Sequence, residues 1–416
     1  GGYTAAIRAA QLGFSVALAE GAELGGVCLN WGCIPTKSLL HTADVLREIH
    51  SANELGIEVG KPAINLEKVV GRSREVAAQL SSGVEFLMRK NGVNVIRGEA
   101  TFLDNSSVVV DGTTVTAGNI IVATGARSKQ LPGVSIDGNR IWDAKAAMTP
   151  SVMPKSLLIV GGGAIGVEFA SLYQTLGSKV TLVEVLDQIL PTEDAEIAQL
   201  ARVAFEKEGI EVKTGSSVES IVAKTKYLEA SIDGKARRFD AVLLSVGVTG
   251  NVESLGLEQA GVDCKRGFIK IDGSRQTTAS SIYAIVDVTG APCLAHKASH
   301  DAVIAVETIA GLRTHPVDSA LVPGCIYSHP QIASIGLSEE EALKKCDVRI
   351  GRFPFIGNGK AIAINEPEGL IKTIFDKTTG ALIGAHMIGA GVTELIHGFS
   401  IAMGLETTEA ELMATI

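Results

Sequence analysis

A glycine-rich turn between two strand-like runs is the feature that most limits how this chain can fold. The turn is Gly161-Gly162-Gly163-Ala164-Ile165-Gly166; the apolar run Ser156–Val160 precedes it and a helical run begins at Val167. A second strand-like run, Lys179–Val183, ends in Glu184. Glycines at this spacing let the backbone approach a pyrophosphate, and the acid accepts hydrogen bonds from ribose hydroxyls. We predict a βαβ dinucleotide site formed by Gly161, Gly163, Gly166 and Glu184. The alternative is a glycine-rich turn in an ordinary α/β layer.

The residues after Glu184 indicate which dinucleotide binds. They are Val185, Leu186 and Asp187, with no arginine among them. A 2′-phosphate would therefore meet only negative charge, and NAD is favoured over NADP.

A shortened copy of the same device begins the chain. Gly1 and Gly2 open a helical run, and the strand-like run Phe14–Ala19 ends in Glu20. The spacing from Gly2 to Glu20 is 18 residues, as it is from Gly166 to Glu184. No strand precedes Gly1 and no natural stop follows the last helical run, so we expect a sequence trimmed at both ends. Two nucleotide-binding sites are predicted, the first including Gly1, Gly2 and Glu20.

Further runs complete an α/β fold with two Rossmann-like domains and an α+β C-terminal domain. The runs 93–100 and 107–115 alternate like hairpin strands, whereas 120–125 and 242–247 are apolar like buried strands. The run 280–288 delivers Asp287 to a turn, and a helix is predicted from His296 to Ile309. The predicted domains are 1–150, 151–273, 274–321 and 322–416.

Composition excludes several classes of protein. The net charge is −9 and the basic residues are mixed among the acids, which argues against a nucleic-acid partner. Aromatic residues make up only 4%, too few for stacking platforms on single strands. No apolar run reaches the ~20 residues of a membrane span. Six cysteines in 416 residues fit a reducing cytoplasm, with an organelle matrix or stroma as the alternative.

Cys28 and Cys33 are the candidate redox pair. In a regular helix their Cα atoms would lie roughly 8–9 Å apart, and a disulfide needs about 7 Å or less. Bridging them requires a distorted turn, which Asn30 and Gly32 tolerate. A dithiol beside a nucleotide-binding device suggests electron transfer between a cofactor and sulfur, with a purely structural disulfide as the alternative.

As a set, these residues resemble the two-cysteine flavoprotein disulfide reductases, and within them the branch that oxidises dihydrolipoamide. The resemblance extends over essentially the whole chain. It is carried by residues 25–40, 123–125, 161–170, 294–300, 323–336 and 351–361.

The resemblance implies an FAD site, an NAD site and roles for single residues. Cys28 matches the thiol that meets the lipoyl sulfur and Cys33 the flavin-facing thiolate. Lys37 and Glu168 match a pair near the flavin and nicotinamide, and Asp287 would bond the ribityl chain. Negative charge on reduced flavin would be stabilised at the helix start near Ala295. The matching FAD contacts are Gly1, Gly2, Glu20, Lys37, Gly98, Thr124, Gly125, Asp287, Leu294, Ala295 and His296. The matching NAD contacts are Gly161, Gly163, Gly166, Glu168, Glu184, Val218 and Gly247.

The resemblance also implies partners: a homodimer, and a lipoyl-bearing acyltransferase subunit of a 2-oxo acid dehydrogenase complex. No metal site is expected. A relative of the glutathione or mercuric reductase type, and a catalytically silent homologue, are the alternatives.

Three features depart from the family pattern. Val286 stands where glycine normally precedes the acid Asp287, and a branched side chain there could weaken FAD binding. Ala302 replaces another frequent glycine, a milder change. The family's catalytic His, with its Glu partner, belongs to a segment that we expect beyond Ile416.

The remaining histidines and cysteines are expected to be structural. His315 and His329 each precede proline but have no Glu at the required spacing. His386 and His397 are interpreted as polar positions of a strand or helix. The other cysteines show no metal-ligand spacing and are expected to be buried or partly buried thiols; they are Cys264, Cys293, Cys325 and Cys346.

Overall fold

The computed structural model describes residues 1–316 and 318–415 of the chain. Among these residues, no helix combines the length and the apolar character needed to cross a bilayer. The helices are α1 Gly2–Gln11, α2 Gly26–Trp31, α3 Cys33–Ser51, α4 Leu66–Lys90, α5 Ala144–Ala147, α6 Ala164–Thr175, α7 Ala195–Lys207, α8 Ala295–Ile309, α9 Glu339–Leu343, α10 Gly359–Ala363, α11 Val392–Gly404 and α12 Glu409–Ala414.

The strands are short and frequent, as expected for a mixed α/β chain. They are β1 Ala17–Glu20, β2 Asn94–Arg97, β3 Ala100–Phe102, β4 Ser107–Val110, β5 Thr113–Thr116, β6 Ile120–Val122, β7 Ala126–Ser128, β8 Ile141–Trp142, β9 Ser156–Val160, β10 Lys179–Val183, β11 Glu211–Lys213, β12 Val218–Ala223, β13 Leu228–Ile232, β14 Lys235–Phe239, β15 Ala241–Leu244, β16 Val248–Gly250, β17 Cys264–Lys265, β18 Phe268–Ile269, β19 Ile282–Ala284, β20 Gly324–Ile326, β21 Gln331–Gly336, β22 Val348–Pro354, β23 Leu370–Asp376 and β24 Leu382–Gly389.

The chain forms two compact units. The first unit consists of Gly1–Ser38, Gly71–Lys129 and Val248–Val317, and the second of Leu39–Val70, Gln130–Gly247 and Asp318–Ile416. These boundaries differ from the predicted domain ranges, which broke the chain near 150 and 273. Strand pairing explains the difference: β8 pairs with β15 inside the second unit, and β16 pairs with β7 inside the first.

The second unit contains the complete glycine-rich device on a parallel sheet of order β11-β10-β9-β15-β8. Strands β9 and β10 pair in parallel along their whole length, from Ser156↔Lys179 to Val160↔Val183. Both strands are almost continuously buried, as parallel strands covered on two faces should be. Helix α6 connects them and buries Phe169 and Tyr173 in the same core. The βαβ unit predicted from the sequence is confirmed.

An antiparallel sheet of order β20-β21-β24-β23-β22 lies at the C-terminal end of the second unit. Helix α11 packs on it, and Val392 and Ile396 join the core formed with Met387 of β24. The predicted α+β character of the C-terminal segment is therefore present.

The first unit contains two parallel strand pairs, β1–β2 and β6–β19, with helices α1 and α8. The helical start at Gly2 and the strand ending in Glu20 are confirmed. Of the two runs predicted to alternate like hairpin strands, 107–115 forms the antiparallel hairpin β4–β5, whereas the prediction is wrong for most of 93–100. Gly98, with φ +139°, ends β2, which pairs in parallel with β1, and the antiparallel partners of β4 are β3 and β5.

A buried charge cluster links α7 to the C-terminal sheet within the second unit. Lys372 of β23 is only 1% exposed. Its Nζ donates to Asp194 Oδ1 at 2.8 Å and lies 3.0 Å from Glu196 Oε2 and 2.7 Å from Glu339 Oε2. Burial opposes ionisation of Asp194, but the hydrogen bonds from Lys372 and the Glu339 N–H hold its pKa below the usual value.

Replacing Lys372 should show how much this cluster contributes to the stability of the fold. Lys372→Met leaves the buried Asp194 carboxylate without its cation, whereas Glu196 and Glu339 keep Arg352. The free energy of unfolding should fall by about 3–5 kcal/mol. Lys344→Met is the matched control because Lys344 pairs with Glu340 on the surface, and the free energy of unfolding of this variant should not change. Denaturant-induced unfolding measures both; an equal response of the two variants would contradict the assignment.

Candidate active site

Cys28 and Cys33 form a disulfide at a break between two helices. Cys28 lies in α2 and Cys33 is the first residue of α3. Between them, Gly32 leaves helical geometry with φ −151° and ψ −118°. The break brings the two Cα atoms to 4.7 Å, well inside the limit for a disulfide. The predicted distortion is confirmed.

The residues around the break show how it is held. Gly32 has no room for a side chain, since a Cβ would lie 3.0 Å from the Val27 carbonyl oxygen. Thr36 Oγ1 donates to the Gly32 carbonyl at 2.8 Å. Buried Asn30 was expected to supply backbone freedom, but it stays helical and its Nδ2 donates to the carbonyls of Leu24 and Gly26, both at 3.0 Å. Asn30 therefore fixes the loop in front of Cys28.

The predicted FAD residues at the start of the chain lie where α1 meets its neighbours. A Cβ on Gly1 would lie 2.5 Å from Val286 Cγ1 and 2.8 Å from the Ala298 carbonyl oxygen, so only glycine fits. Helix α1 begins without a side chain accepting from its first N–H groups. Glu20, at the end of β1, accepts from the Ala22 N–H at 2.9 Å, and burial raises the pKa of its carboxyl.

A second set of predicted FAD residues is held by a residue that the sequence did not reveal. Thr124 Oγ1 donates to the Asn251 carbonyl at 2.8 Å, and Asn251 Nδ2 donates back to the Thr124 carbonyl at 2.8 Å. The Asn251 N–H donates to the Gly125 carbonyl at 2.9 Å. Because Asn251 is distant in sequence and follows no recognisable motif, only the tertiary fold identifies it.

Val286 adopts a backbone conformation that suits glycine. Its φ is +63°, in the left-handed region that β-branched residues avoid. It begins a short 3₁₀ turn, Val286–Thr289, that carries Asp287. Burial raises the pKa of the Asp287 carboxyl. The left-handed φ gives a backbone reason for the family's glycine at this position, and the effect of Val286 on FAD binding stays a prediction.

Helix α8 begins as predicted beside this turn. Its N-cap is Leu294, which provides no side-chain acceptor, and Ala295 and His296 form the exposed first turn. The first N–H groups of such a helix end favour negative charge. An anionic group can therefore be stabilised there.

The glycines of the second device have two different roles. Gly161 and Gly166 allow close packing of the backbone, whereas Gly163 leaves open space at the start of α6. A Cβ on Gly166 would lie 2.0 Å from the Gly161 carbonyl oxygen, and Gly161 itself has φ +106°. Gly163 has open space around it and caps α6 without a side-chain hydrogen bond. Glu184 Oε2 accepts from the Gly162 N–H at 2.7 Å, so the acid lies against the glycine turn. Ser245, which the sequence did not reveal, donates to the Gly161 carbonyl at 2.8 Å.

The remaining predicted site residues are placed as follows. Val218 begins β12, and Gly247, with φ +97°, follows β15. Glu168 lies on α6 and its Oε1 accepts from the Tyr327 N–H at 2.9 Å. Lys37 lies on α3 in the first unit, whereas Glu168 belongs to the second; their pairing stays a prediction.

The four histidines that were predicted to be structural show no arrangement that would make them a catalytic base. Burial, with the Arg47 charge, lowers the pKa of His329 to about 4, so it is neutral at pH 7 and a weak base. His386 lies in β24, 2.8 Å from the Leu337 carbonyl oxygen, and His397 lies in α11. His315 is exposed.

The thiols outside the redox pair are only partly as expected. Cys325 and Cys346 are partly buried, but Cys264 and Cys293 are exposed, so the expectation was wrong for these two. Chain connectivity alone does not determine which side of a turn faces solvent. Among the described residues, no group of three or more His, Cys, Asp or Glu side chains could hold a metal ion.

The site residues fit FAD and NAD. Two nucleotide-type turns lie at helix starts whose N–H groups have no side-chain acceptor, and each is followed by a strand that ends in an acid. Gly1, Gly161 and Gly166 stand where a Cβ would clash. The first unit adds a redox disulfide and a partly buried acid, Asp287. The arrangement can bind two dinucleotides and carry out thiol–disulfide exchange.

Relief of the strain at Val286 should improve FAD binding. Val286→Gly removes a left-handed β-branched residue, worth about 1–2 kcal/mol of strain, and opens space beside Asp287. FAD content per chain and FAD affinity should both rise. Arg266→Gly is the control, since Arg266 has φ +53° on an exposed turn of the same unit. Unchanged FAD occupancy in the Val286 variant would show that the valine is accommodated.

Comparison with known proteins agrees with this geometry. Residues 1–302 match the family described as pyridine nucleotide-disulphide oxidoreductase, and residues 322–416 match its dimerisation domain, which supports a homodimer. The chain is 50% identical to a dihydrolipoyl dehydrogenase of Zymomonas mobilis and 48% identical to one of Rhizobium etli. Each match covers all of this chain and 92% of the relative. The crystal structure of LpdA from Mycobacterium tuberculosis superposes with a TM-score of 0.94 at 27% identity, covering all of this chain and 93% of that one. The chain thus belongs to the pyridine nucleotide-disulphide oxidoreductase family, whose members use FAD and NAD(H).

Proposed function

We propose that this chain is a dihydrolipoyl dehydrogenase, which oxidises protein-bound dihydrolipoamide and reduces NAD⁺ to NADH. The observation that carries the proposal is the Cys28–Cys33 disulfide at the α2–α3 break, in the same chain as two nucleotide-binding turns. The curated dihydrolipoyl dehydrogenases that match the full chain support the choice of substrate.

The disulfide performs the first half of the reaction by exchange. A lipoyl thiolate attacks Cys28 Sγ, forms a mixed disulfide and releases Cys33 as a thiolate. The second lipoyl thiolate then attacks the mixed disulfide at the lipoyl sulfur, which closes lipoamide and leaves Cys28 reduced. Two electrons pass to the Cys28–Cys33 pair, and the two lipoyl protons pass to a base.

The position of Cys33 supports its role as the thiolate. Cys33 is the first residue of α3, a helix of 19 residues. Helix N-termini lower thiol pKa values because their N–H groups and dipole favour negative charge. Cys28 is the third residue of a helix of only six residues, whose dipole is weaker. The asymmetry favours Cys28 as the exchanging sulfur and Cys33 as the stabilised anion.

When bound, FAD supplies the two-electron relay between the dithiol and the nicotinamide ring. Around it, this chain's residues would bind and orient the cofactors: Asp287 would accept from the ribityl chain, and the N–H groups at the start of α8 would favour negative charge on the flavin. Glu184 would accept from the NAD ribose hydroxyls. Lys37 would supply its charge at the flavin and Glu168 its charge at the nicotinamide.

The proposal includes partners that complete the enzyme. A homodimer places the C-terminal segment of one subunit, with the family's His–Glu base, at the disulfide of the other. The lipoyl group arrives on an acyltransferase subunit of a 2-oxo acid dehydrogenase complex. A reducing compartment, the bacterial cytoplasm or an organelle matrix or stroma, suits such a dithiol.

Substitution of each cysteine separates this enzyme from its alternatives. Cys28→Ser and Cys33→Ser in the full-length protein should each abolish NADH formation from dihydrolipoamide, since serine cannot form the disulfide. Cys346→Ser is the control, because Cys346 lies in the second unit outside the redox pair, and it should keep full activity. NADH absorbance measures turnover.

The outcomes distinguish the alternatives. Turnover of glutathione disulfide, but not of lipoamide, would identify the other branch of the family. An inactive FAD-loaded full-length protein would favour a silent homologue.

Cofactor choice provides an independent prediction. Glu184 sits against the glycine turn and no arginine follows it, so a 2′-phosphate would meet like charge at a cost of several kcal/mol. NADH should therefore reduce the bound flavin at least ~100-fold faster than NADPH. Stopped-flow absorbance compares the two, and Glu184→Gln should narrow the gap. Equal rates in the wild type would remove the NAD assignment.

A further inference from the structure

The tryptophan next to the redox break is held by a helix that is distant in the sequence. Trp31 is the last residue of α2 and directly precedes Gly32, where the chain leaves helical geometry. The guanidinium carbon of Arg74, on α4, lies 4.1 Å from the centroid of the Trp31 ring. Trp31 Nε1 donates to Glu23 Oε1 over a long 3.4 Å. The ring is therefore held at its face by α4 and at its edge by the loop that precedes α2.

Two nitrogens of Arg74 lack the hydrogen bonds that buried polar groups normally make. They are Nε and Nη2, and neither has an acceptor among the residues that the structure describes. Burial lowers the pKa of Arg74 and the Glu23 carboxylate opposes this effect, but an arginine remains charged at pH 7. A cation shielded from water is attracted more strongly to an indole face. The stack on Trp31 is therefore a specific contact of the Arg74 side chain.

A second contact joins α4 to the same region of the first unit. Ser81 Oγ donates to the Leu24 carbonyl at 2.9 Å, and that carbonyl also accepts from Asn30 Nδ2 at 3.0 Å. Arg74 and Ser81 lie two helical turns apart on α4, so they share one face of the helix. That face contacts the chain both before Cys28 and beside the break.

These contacts matter most when the disulfide is open. The Cα atoms of Cys28 and Cys33 lie 4.7 Å apart, whereas a regular helix would separate them by roughly 8–9 Å. When a dithiol substrate supplies two electrons and two protons, the S–S bond becomes two thiols and no longer closes the turn. Non-covalent contacts must then hold it. Trp31 borders a cavity of about 340 Å³, so close packing restrains only part of its ring.

We propose that Arg74 is a positioning residue for the redox disulfide: by stacking on Trp31 it keeps the turn between α2 and α3 closed in the dithiol form. Arg74 acts through Trp31 rather than by touching either sulfur. Thiols that are held close together form their disulfide more readily, so the stack makes the disulfide harder to reduce. The inference rests on the redox role proposed for Cys28 and Cys33.

The direction of the change in reduction potential distinguishes positioning from a direct effect of charge. If Arg74 positions Trp31, Arg74→Met lets the dithiol form relax and makes the potential less negative. If the Arg74 charge instead stabilised the Cys33 thiolate, the same substitution would make the potential more negative. We expect the first result. The equilibrium between dithiol and disulfide should change about tenfold, which is ~30 mV for a two-electron couple.

The experiment equilibrates the FAD-loaded full-length protein, without nicotinamide, in mixtures of dihydrolipoamide and lipoamide. Alkylation of free thiols, followed by mass spectrometry of the peptide that contains Cys28 and Cys33, gives the reduced fraction. Thermal melting is recorded for every variant. Trp31→Leu removes the ring and should shift the potential as Arg74→Met does, and the double variant should shift it no further. Trp31→Phe keeps an aromatic face and should retain most of the wild-type potential.

Arg238→Met is the matched control. The guanidinium carbon of Arg238 lies 4.6 Å from the centroid of the Tyr227 ring, in the second unit, where neither redox cysteine lies. The substitution removes the same kind of stack and should leave the potential unchanged.

The remaining outcomes count against the proposal. An unchanged or more negative potential in Arg74→Met overturns it, whether or not the melting temperature falls. So do additive shifts in the double variant, or an equal shift in Arg238→Met. Should Trp31→Leu fail to fold, Arg74→Met and Trp31→Phe carry the test. Failure of dihydrolipoamide to reduce the wild-type disulfide would instead overturn the proposed redox function.

Discussion

Helix starts whose N-cap residue provides no side-chain acceptor are the constraint around which both nucleotide sites are built. The N-caps of helices α1, α6 and α8 are Gly1, Gly163 and Leu294, and none of them forms a side-chain capping hydrogen bond. By contrast, α5, α7, α9 and α10 are capped by Asp143, Asp194, Ser338 and Asn358. A helix end left uncapped favours an anion. Helices α2 and α11 also have N-caps without a side-chain hydrogen bond, so a missing cap permits an anion but does not identify its site. The starts of α1, α6 and α8 are those that the proposed function assigns to phosphates and reduced flavin.

Much of the local structure is readable from the sequence, because local patterns determine it. Strands β9 and β10 have the predicted bounds. The glycine turn between them allows α6 to pack closely against the turn, where a side chain would not fit. The break at Gly32 follows from the spacing of two cysteines that must bond. At Val286, the departure from a family glycine corresponds to a left-handed φ in the structure.

Contacts between residues that are distant in the chain cannot be predicted from the sequence in this way. The run that became β2 alternates as a hairpin strand would, but its partner is chosen by the parallel crossover through α4. Asn251 and Ser245 donate hydrogen bonds to backbone carbonyls of the site, and no sequence motif predicts these bonds. The buried ion pairs of Asp301 with Arg275 and Lys297 form only when the fold brings these residues together. Such features depend on tertiary geometry. The sequence determines that geometry, but the contacts cannot be recognised in the sequence itself.

The Lys372 cluster affects whether the C-terminal domain can fold or be exchanged independently of the rest of the chain. The C-terminal segment from residue 322 matches a family domain of its own, yet two of the three carboxylates around its buried lysine, Asp194 and Glu196, come from the nucleotide-binding part of the chain. An excised C-terminal domain would keep only Glu339 to balance that charge. Since removing either side of a buried ion pair is strongly unfavourable, we expect each part to depend on the other for its stability. Domain exchange between relatives would have to transfer both sides of this cluster together.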